Sequence, residues 1–400
     1  MKTRLRKGNK ALIKDINRSL VIEQVRLNGP ISRTDLAKNT DLGLSTITNI
    51  VEGLISDDLV SEVGSGFSNG GRKPVFLKFN EKAGAVIGIK VEPAKIIFAL
   101  TDLNSHILHR SSASLDQHAT NEQLLKLITN EINRIQLNVD KGTTLYGIGI
   151  AISGLVDRSQ NRLEYSPILN WENYDFGPLE DIFNVSVFVD NDANVFTLAH
   201  MWSGKWKEYN HFIGVTFGVG IGTGIVVEKN LYRGSFGGAG EFGHIVIQRE
   251  GTLCYCGQRG CLEMYASDEY LIQEVRSLAK LGLIKWMDTL NDITLDEIYR
   301  LAQRENEEIQ QILTKQGQNL GIGLKSIVNL LNPEAIIIGG EGIKGMPFVM
   351  KGIKKELEYN FFSRHNKQLN VHISDLGDDV WLIGACALVL DNHFRISIYQ

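Results

Sequence analysis

Glu241-Phe242-Gly243-His244, followed after nine residues by Cys254-Tyr255-Cys256-Gly257-Gln258-Arg259-Gly260-Cys261-Leu262-Glu263, is the stretch that decides how the chain is read. Three of the four cysteines crowd into this segment, and Cys386 lies far away. Such spacing cannot form a regular disulfide framework, whereas three thiolates and an imidazole match the donor preference of zinc. His244, Cys254, Cys256 and Cys261 are therefore expected to hold one Zn²⁺. Four protein ligands close a tetrahedral site and leave no position for an activated water, so the expected role of the metal is structural. Cys386 is expected to pack in the core.

Outward from this stretch, the composition is that of a folded protein. The chain has 400 residues, 43% of them hydrophobic, and forty glycines against seven prolines without low-complexity character. Two to four domains are expected at roughly 100–200 residues each. No apolar run approaches the roughly 18 residues needed to cross a bilayer. The opening MKTRLRKGNK is basic but lacks an apolar core and a cleavage site, so a cytoplasmic protein with reduced thiols and no membrane span is expected. The net charge of −4 hides an asymmetry: residues 1–80 hold 13 Lys and Arg against 8 Asp and Glu, so the remainder is acidic. A basic segment on an acidic body favours contact with phosphate backbones through that segment alone.

Within residues 1–80, Asn17 is a candidate cap for a helix with apolar positions Leu20, Val21, Ile22, Val25 and Leu27, ended by Asn28-Gly29-Pro30. Ser32 caps a second expected helix over Arg33–Asn39. After the turn Thr40-Asp41-Leu42-Gly43, a third begins near Leu44 or Ser45. Ile47, Ile50, Val51 and Leu54 repeat at helical period and face inward, leaving Ser45, Thr46, Thr48 and Asn49 on the outer face. Two strands, Leu59–Val63 and Val75–Phe79, flank a glycine-rich link that carries Arg72 and Lys73. The layout is that of a winged helix-turn-helix. Arg33, Ser45, Thr46, Thr48, Asn49, Arg72 and Lys73 are its candidate DNA-binding residues, the polar side chains for groove edges and the cations for phosphates.

From Gly84 onward, strands and helices alternate. Ala85–Val91 and Lys95–Thr101 begin a β-meander, a helix over Asn121–Gln136 precedes the strand Tyr146–Ile152, and Val185–Val189 leads into a helix near Ala193. A second block starts at His211–Thr216 and Gly224–Val227 and turns helical after Ala266. It closes with Ala335–Ile338, Val371–Ser374 and a helix near Trp381–Leu390. The chain is thus expected to be α/β, with a DNA-binding domain over 1–80 and a second domain over 81–400.

The Glu241–Glu263 signature resembles that of the ROK family of repressors and sugar kinases, and with the winged helix the resemblance covers essentially the whole chain. It implies an actin-like, hexokinase-like fold in which two α/β lobes clasp a sugar. Val189-Asp190-Asn191-Asp192-Ala193-Asn194 resembles the family's sugar-contacting loop, so Asn191, Asp192, Glu241, His244 and Glu263 are implied as sugar ligands. Their acceptors and donors suit hydroxyl groups, although Asn191 and Asp192 also suit a helix cap. His244 would then serve both metal and sugar. Asn170 and Trp171 are weaker cleft candidates, Trp171 being as well suited to packing.

Kinases of this family hold nucleotide on a first hairpin of the form Asp-x-Gly-Gly-Thr. Here Lys90 stands for the aspartate, Glu92 and Pro93 for the glycines, and Ala94 for the threonine. Lysine cannot coordinate Mg²⁺, glutamate repels a triphosphate, and proline has no N–H to donate. The second phosphate loop persists in outline over Thr216–Gly224, with Val219 at a usual threonine. The expected protein is therefore not an enzyme. It is a repressor on a palindromic operator, expected as a homodimer with a higher oligomer as the alternative, released by a monosaccharide such as xylose or glucose. The alternatives are a ROK sugar kinase and a repressor released by a transporter protein.

Overall fold

The computed structural model describes residues 9–65, 74–137, 142–203, 205–206, 208–284, 293–363 and 369–395. Helix α1 spans Lys10–Asn28, with Asn9 Oδ1 accepting from the Leu12 amide at 2.8 Å. It thus begins seven residues before the Asn17 boundary expected from sequence. No breaker lies between Lys10 and Ile16, and Leu12 extends the buried stripe of Val21, Ile22 and Val25, so packing outweighs the weak helix preference of one interior asparagine. Strand β1 (Ile31–Ser32), α2 (Arg33–Thr40), α3 (Leu44–Ser56), β2 (Val60–Ser65) and β3 (Val75–Phe79) follow. Ser32 Oγ caps α2 by accepting from the Asp35 amide at 3.1 Å. Ile47, Ile50, Val51 and Leu54 all point inward, as their period requires, and meet Leu36 and Leu77 in one core. With the sheet order β1-β3-β2, this is a winged helix-turn-helix. The expected wing cations Arg72 and Lys73 lie outside the described residues.

The first lobe comprises β4 (Gly84–Glu92), β5 (Lys95–Asp102), β6 (Ile107–Ser114), α4 (Asn121–Gln136) and β7 (Thr144–Ile152). A small sheet of β8 (Leu155–Asp157), β9 (Arg162–Ser166) and β10 (Trp171–Asp175) precedes α5 (Pro178–Phe183) and β11 (Ser186–Asn191). Helix α6 (Asp192–Trp202) leads into the second lobe: β12 (Phe212–Phe217), β13 (Ile221–Val227), β14 (Asn230–Tyr232), α7 (Glu263–Ala266), α8 (Asp268–Lys280), α9 (Leu295–Gln303), α10 (Glu307–Leu331), β15 (Ala335–Gly339), α11 (Met346–Leu357) and β16 (Asn370–Ile373). Helix α12 (Val380–Phe394) returns to the first lobe.

The main sheets run β11-β7-β4-β5-β6 and β14-β13-β12-β15-β16. Each is an antiparallel three-strand meander whose first strand pairs in parallel with the fourth, and the fourth with the fifth. The same topology is therefore built twice. Parallel strands are buried on both faces and read as continuous apolar runs, as in Ile148–Ile152 and Ala335–Ile338. Cys386 is fully buried on α12, as expected for core packing, and its sulfur lies where a side chain on Gly88 would sit. Among the described residues, no helix is long and apolar enough to cross a membrane.

Candidate functional site

A cleft of about 860 Å³ opens between the lobes, lined by the ends of β4, β7 and β11 on one side and by the β12–β13 turn and Glu241–His244 on the other. Open α/β sheets place ligands at the carboxyl ends of their strands, and both sheets present those ends here. Asn191, Asp192, Glu241, His244 and Glu263 all line this one cavity, although they come from widely separated parts of the chain.

Asn191 ends β11 and caps α6: its Oδ1 accepts from the Ala193 amide at 2.9 Å and its Nδ2 donates to the Gly154 carbonyl at 3.0 Å. The cap foreseen as an alternative is thus real, and it leaves one amide hydrogen and one lone pair for a ligand. Asp192 opens α6, with Oδ1 accepting from the Ala193 amide at 2.9 Å. Burial pushes its carboxyl up to about 6; Lys90 opposes the rise, and Glu341 and Glu241 add to it. Glu263, buried at the start of α7, accepts from the Ile221 amide at 2.9 Å, which fixes one oxygen and orients the other. Of the weaker candidates, Trp171 is a core residue stacked on Tyr174 at 4.2 Å, and Asn170 is exposed with a left-handed φ of 55°.

The ligand atoms of His244, Cys254, Cys256 and Cys261 lie within 4.8 Å of one another. Cys254 Sγ is 3.6 Å from His244 Nδ1, and Cys256 Sγ is 3.6 Å from Cys261 Sγ. Zn–S bonds of about 2.3 Å in a tetrahedron put sulfurs roughly 3.8 Å apart, so the four side chains are already spaced for a metal. Burial pushes the Cys261 thiol up to about 12, with Cys256 and Cys254 adding to the rise. Burial also raises the Cys254 thiol, whereas against its desolvation the Gln258 amide and the neighbouring thiols lower exposed Cys256; a divalent cation would supply the charge that the two buried thiols need to ionise. The residues fit a metal ion, and their chemistry is compatible with zinc. His244 Nε2, on the ring edge away from Cys254, lies 3.2 Å from Tyr255 Oη, and both residues line the cleft. Tyr255 thus shares the position where sequence expected a sugar hydroxyl alone.

At the other end of the cleft, Lys90 is nearly buried. Its Nζ lies 2.9 Å from Glu92 and 3.5 Å from Glu341, and 3.4 Å above the ring of Trp381. A side chain on Gly218, in the β12–β13 turn, would meet a Glu341 carboxylate oxygen at 2.6 Å, so an acidic group overhangs the loop that resembles a phosphate cradle. Gly340, with φ 108° and the Phe217 carbonyl 2.3 Å from where a Cβ would stand, is needed by the backbone alone.

A model described as the ROK family matches residues 86–392. The chain belongs to the ROK family. A xylose repressor from Bacillus spizizenii is 34% identical over 393 residues, covering 97% of this chain and 98% of the relative. A solved ROK family transcriptional regulator, described as a homolog of the Escherichia coli MLC protein, superposes with a TM-score of 0.84 at 26% identity, covering 96% of this chain and 97% of that one. A ROK family glucokinase from Streptomyces griseus, solved with glucose and AMPPNP, has a TM-score of 0.64 at 26% identity and covers 76% of this chain and 99% of its own. The regulator match thus extends over the winged helix as well as the two-lobed ROK fold, and the kinase match leaves about a quarter of the chain uncovered.

On the winged helix, Ser45 and Asn49 are exposed on α3, and Thr46 and Thr48 are half-buried. Thr48 Oγ1 donates to the Leu44 carbonyl at 2.9 Å. Arg33 sits on α2, where Glu62 holds its guanidinium at 2.8 Å. Sequence reading missed Asp190, which is buried between the lobes and accepts from Arg233 Nε at 2.7 Å and Asn194 Nδ2 at 2.9 Å, with Arg158 Nε at 3.5 Å. Two arginines and an amide hold it well below the usual carboxylate range against its burial. A carboxylate two residues before Asp192 was visible as a signal, but of its partners only Asn194 is local, and both arginines are distant in sequence.

Proposed function

We propose that this protein is a sugar-responsive, DNA-binding transcriptional repressor of carbohydrate-utilisation genes, released from its operator by a monosaccharide of the xylose or glucose type. The observation that carries this reading is a ROK cleft with hydroxyl-binding side chains at one end and Lys90, Glu92, Glu341 and Trp381 filling the other, attached to a winged helix. Asn191, Asp192, Glu241, His244 and Glu263 hold the sugar. Residues 1–80 form the DNA-binding unit and 81–400 the sensor. Ser45, Thr46, Thr48 and Asn49 face the major groove; Arg72 and Lys73 reach the phosphates, and Arg33 joins them at the backbone. A homodimer supplies two winged helices to a palindromic site in the cytoplasm. His244, Cys254, Cys256 and Cys261 hold one structural Zn²⁺, which supplies charge to stabilise three thiolates and fixes the ring of His244 in the cleft wall.

Coupling between sugar and DNA is reciprocal: if sugar favours one arrangement of the lobes and operator another, each weakens the other by the same factor. The test is a thermal-shift screen of pentoses and hexoses, followed by an operator mobility assay with the best of them. One sugar should stabilise the protein and release DNA. No sugar-dependent consumption of ATP is expected; turnover of γ-phosphate onto a sugar would favour the kinase reading instead. Release by a transport protein, with no heat from any free sugar, would favour the partner-protein reading. Substituting Arg72 and Lys73 together by Ala should weaken operator binding and reduce the slope of log affinity against log salt by about 2, since each phosphate contact contributes about 0.9. Sugar binding should be unchanged.

A further inference from the structure

Helix α6 has its two ends in two different places. Its first residue, Asp192, lines the cleft; its last, Trp202, meets the winged helix. Arg26, in the last turn of α1, donates from Nη1 to the Trp202 carbonyl at 3.0 Å and lays its guanidinium 3.8 Å over the Trp202 ring. The C-terminal carbonyls of a helix lack intrahelical donors and carry partial negative charge, so a planar cation with several N–H groups suits this end well. Burial lowers the Arg26 pKa to about 10, so the side chain is enclosed yet still charged at neutral pH.

Between its ends α6 is buried almost throughout, from Ala193 to His200. A rise of about 1.5 Å per residue separates cleft and joint by roughly 15 Å. The second lobe rests directly on this helix: a Cβ on Gly214 or Gly224 would come within 2.2 Å of Thr197 Oγ1, and one on Gly222 within 2.8 Å of the Ala193 side chain. The lobes therefore cannot rotate about each other without sliding over α6 or carrying it with them, because close-packed interiors shift as units. Helix α12 follows the same route. Trp381 at its start lies under Lys90 in the cleft, Phe394 at its end accepts from Ser19 Oγ of α1, and Arg395 just beyond lies 3.8 Å from Glu23 of α1.

We propose that Arg26 is the positioning residue through which occupancy of the cleft is transmitted to the DNA-binding unit. It clamps α1 to the far end of the helix that begins with Asp192. Movement of α6 at the cleft is then delivered to α1, and so to the spacing of the recognition helices. This inference rests on the sugar-responsive reading above, and the experiment keeps the two apart.

Arg26→Ala, Arg26→Lys and Arg26→Met are prepared in the full chain, Met retaining the apolar stem in case Ala impairs folding. Anisotropy of a labelled duplex selected from a randomised pool gives DNA affinity with and without D-xylose and D-glucose; calorimetry gives sugar affinity without DNA. For Arg26→Ala and Arg26→Met, sugar affinity without DNA and DNA affinity without sugar should each stay within about threefold of wild type. The factor by which sugar weakens DNA binding should fall at least tenfold. Arg26→Lys should recover part of it. A merely structural role would lower stability or both affinities and leave their ratio intact. If the variants are released by sugar as fully as wild type, the inference is overturned. If wild type binds DNA and no sugar releases it, the sugar-responsive reading fails and the inference falls with it.

Discussion

Replacing Asp192 by Asn is expected to raise the melting temperature of the sugar-free protein while removing its response to sugar. The carboxyl is held up to about 6, mainly by burial, whereas an aspartate in the unfolded chain titrates near 3.9. Between those values the folded state binds more protons than the unfolded state, so stability falls as pH rises from about 4 to about 6 and stays reduced above that window. At about 1.4 kcal/mol per unit, the cost of keeping Asp192 charged at neutral pH is on the order of 2–3 kcal/mol. Asparagine has nearly the same shape and can keep the bond from the Ala193 amide without that charge. For a unit of this size a gain of several degrees should follow, read by calorimetry at pH 7.5.

Loss of the sugar response follows from the same change. A hydrogen bond to a carboxylate contributes about 1.5–3 kcal/mol, so the variant should bind its sugar roughly 10- to 100-fold more weakly. Operator affinity without sugar should be unchanged. In the wild-type protein, sugar affinity should be flat above pH 7 and fall toward tenfold per unit below about 6, as the acceptor form of Asp192 is depleted; in Asp192→Asn it should be flat throughout. A variant that is less stable without sugar, or that binds sugar normally, would show that the charge on Asp192 serves neither purpose.

What could be read in the chain depended on how local its cause was. The inward face of α3 follows from one side of a helix, and the cap of α2 from Ser32, three residues before the amide it accepts. The four side chains that could hold a metal ion are compressed into Cys254–Cys261 and one histidine, so spacing alone was enough to single them out. Lys90 was visible as a departure from the kinase hairpin. What it does was not, because Glu341 and Trp381 reach it from the other lobe and the last helix. The same holds for Asp190, whose arginines come from the β8–β9 turn of the first lobe and from the residue just after β14 in the second. The repeated sheet topology left no trace in sequence, because a strand order can recur whenever burial patterns agree, without shared residues. Arg26 is one more basic residue in a basic segment until α6 is seen to end beneath it.

Removal of one buried thiolate ligand is the other large effect expected. Cys261→Ser keeps nearly the volume of the side chain but replaces a soft thiolate with a poor ligand for zinc. The purified wild-type chain should hold one zinc per polypeptide, and the variant close to none. Without the cation, Cys254 and Cys256 revert to neighbouring thiols in a loop that keeps the isolated bridges Val246–Cys261 and Leu253–Arg259 and turn hydrogen bonds such as Cys254 N–H to the Gln258 carbonyl at 2.8 Å and Gly260 N–H to the Thr252 carbonyl at 2.9 Å, but loses the link that would join its three thiols to His244. Structural zinc in small domains contributes about 10 kcal/mol or more to folding. Here the second-lobe core, with Phe242, Leu262 and Leu324, bears most of that lobe, so a melting decrease on the order of 10 °C is expected rather than global unfolding. Because His244 and Glu263 bracket the loop and both line the cleft, sugar affinity should fall in step with zinc content, and a strong chelator should reproduce both losses in wild type. DNA binding should survive both treatments, since the winged helix packs on α6 and α12 at the opposite end from the cleft. A zinc-free variant with normal melting and normal sugar affinity would leave the cluster without the structural role assigned to it.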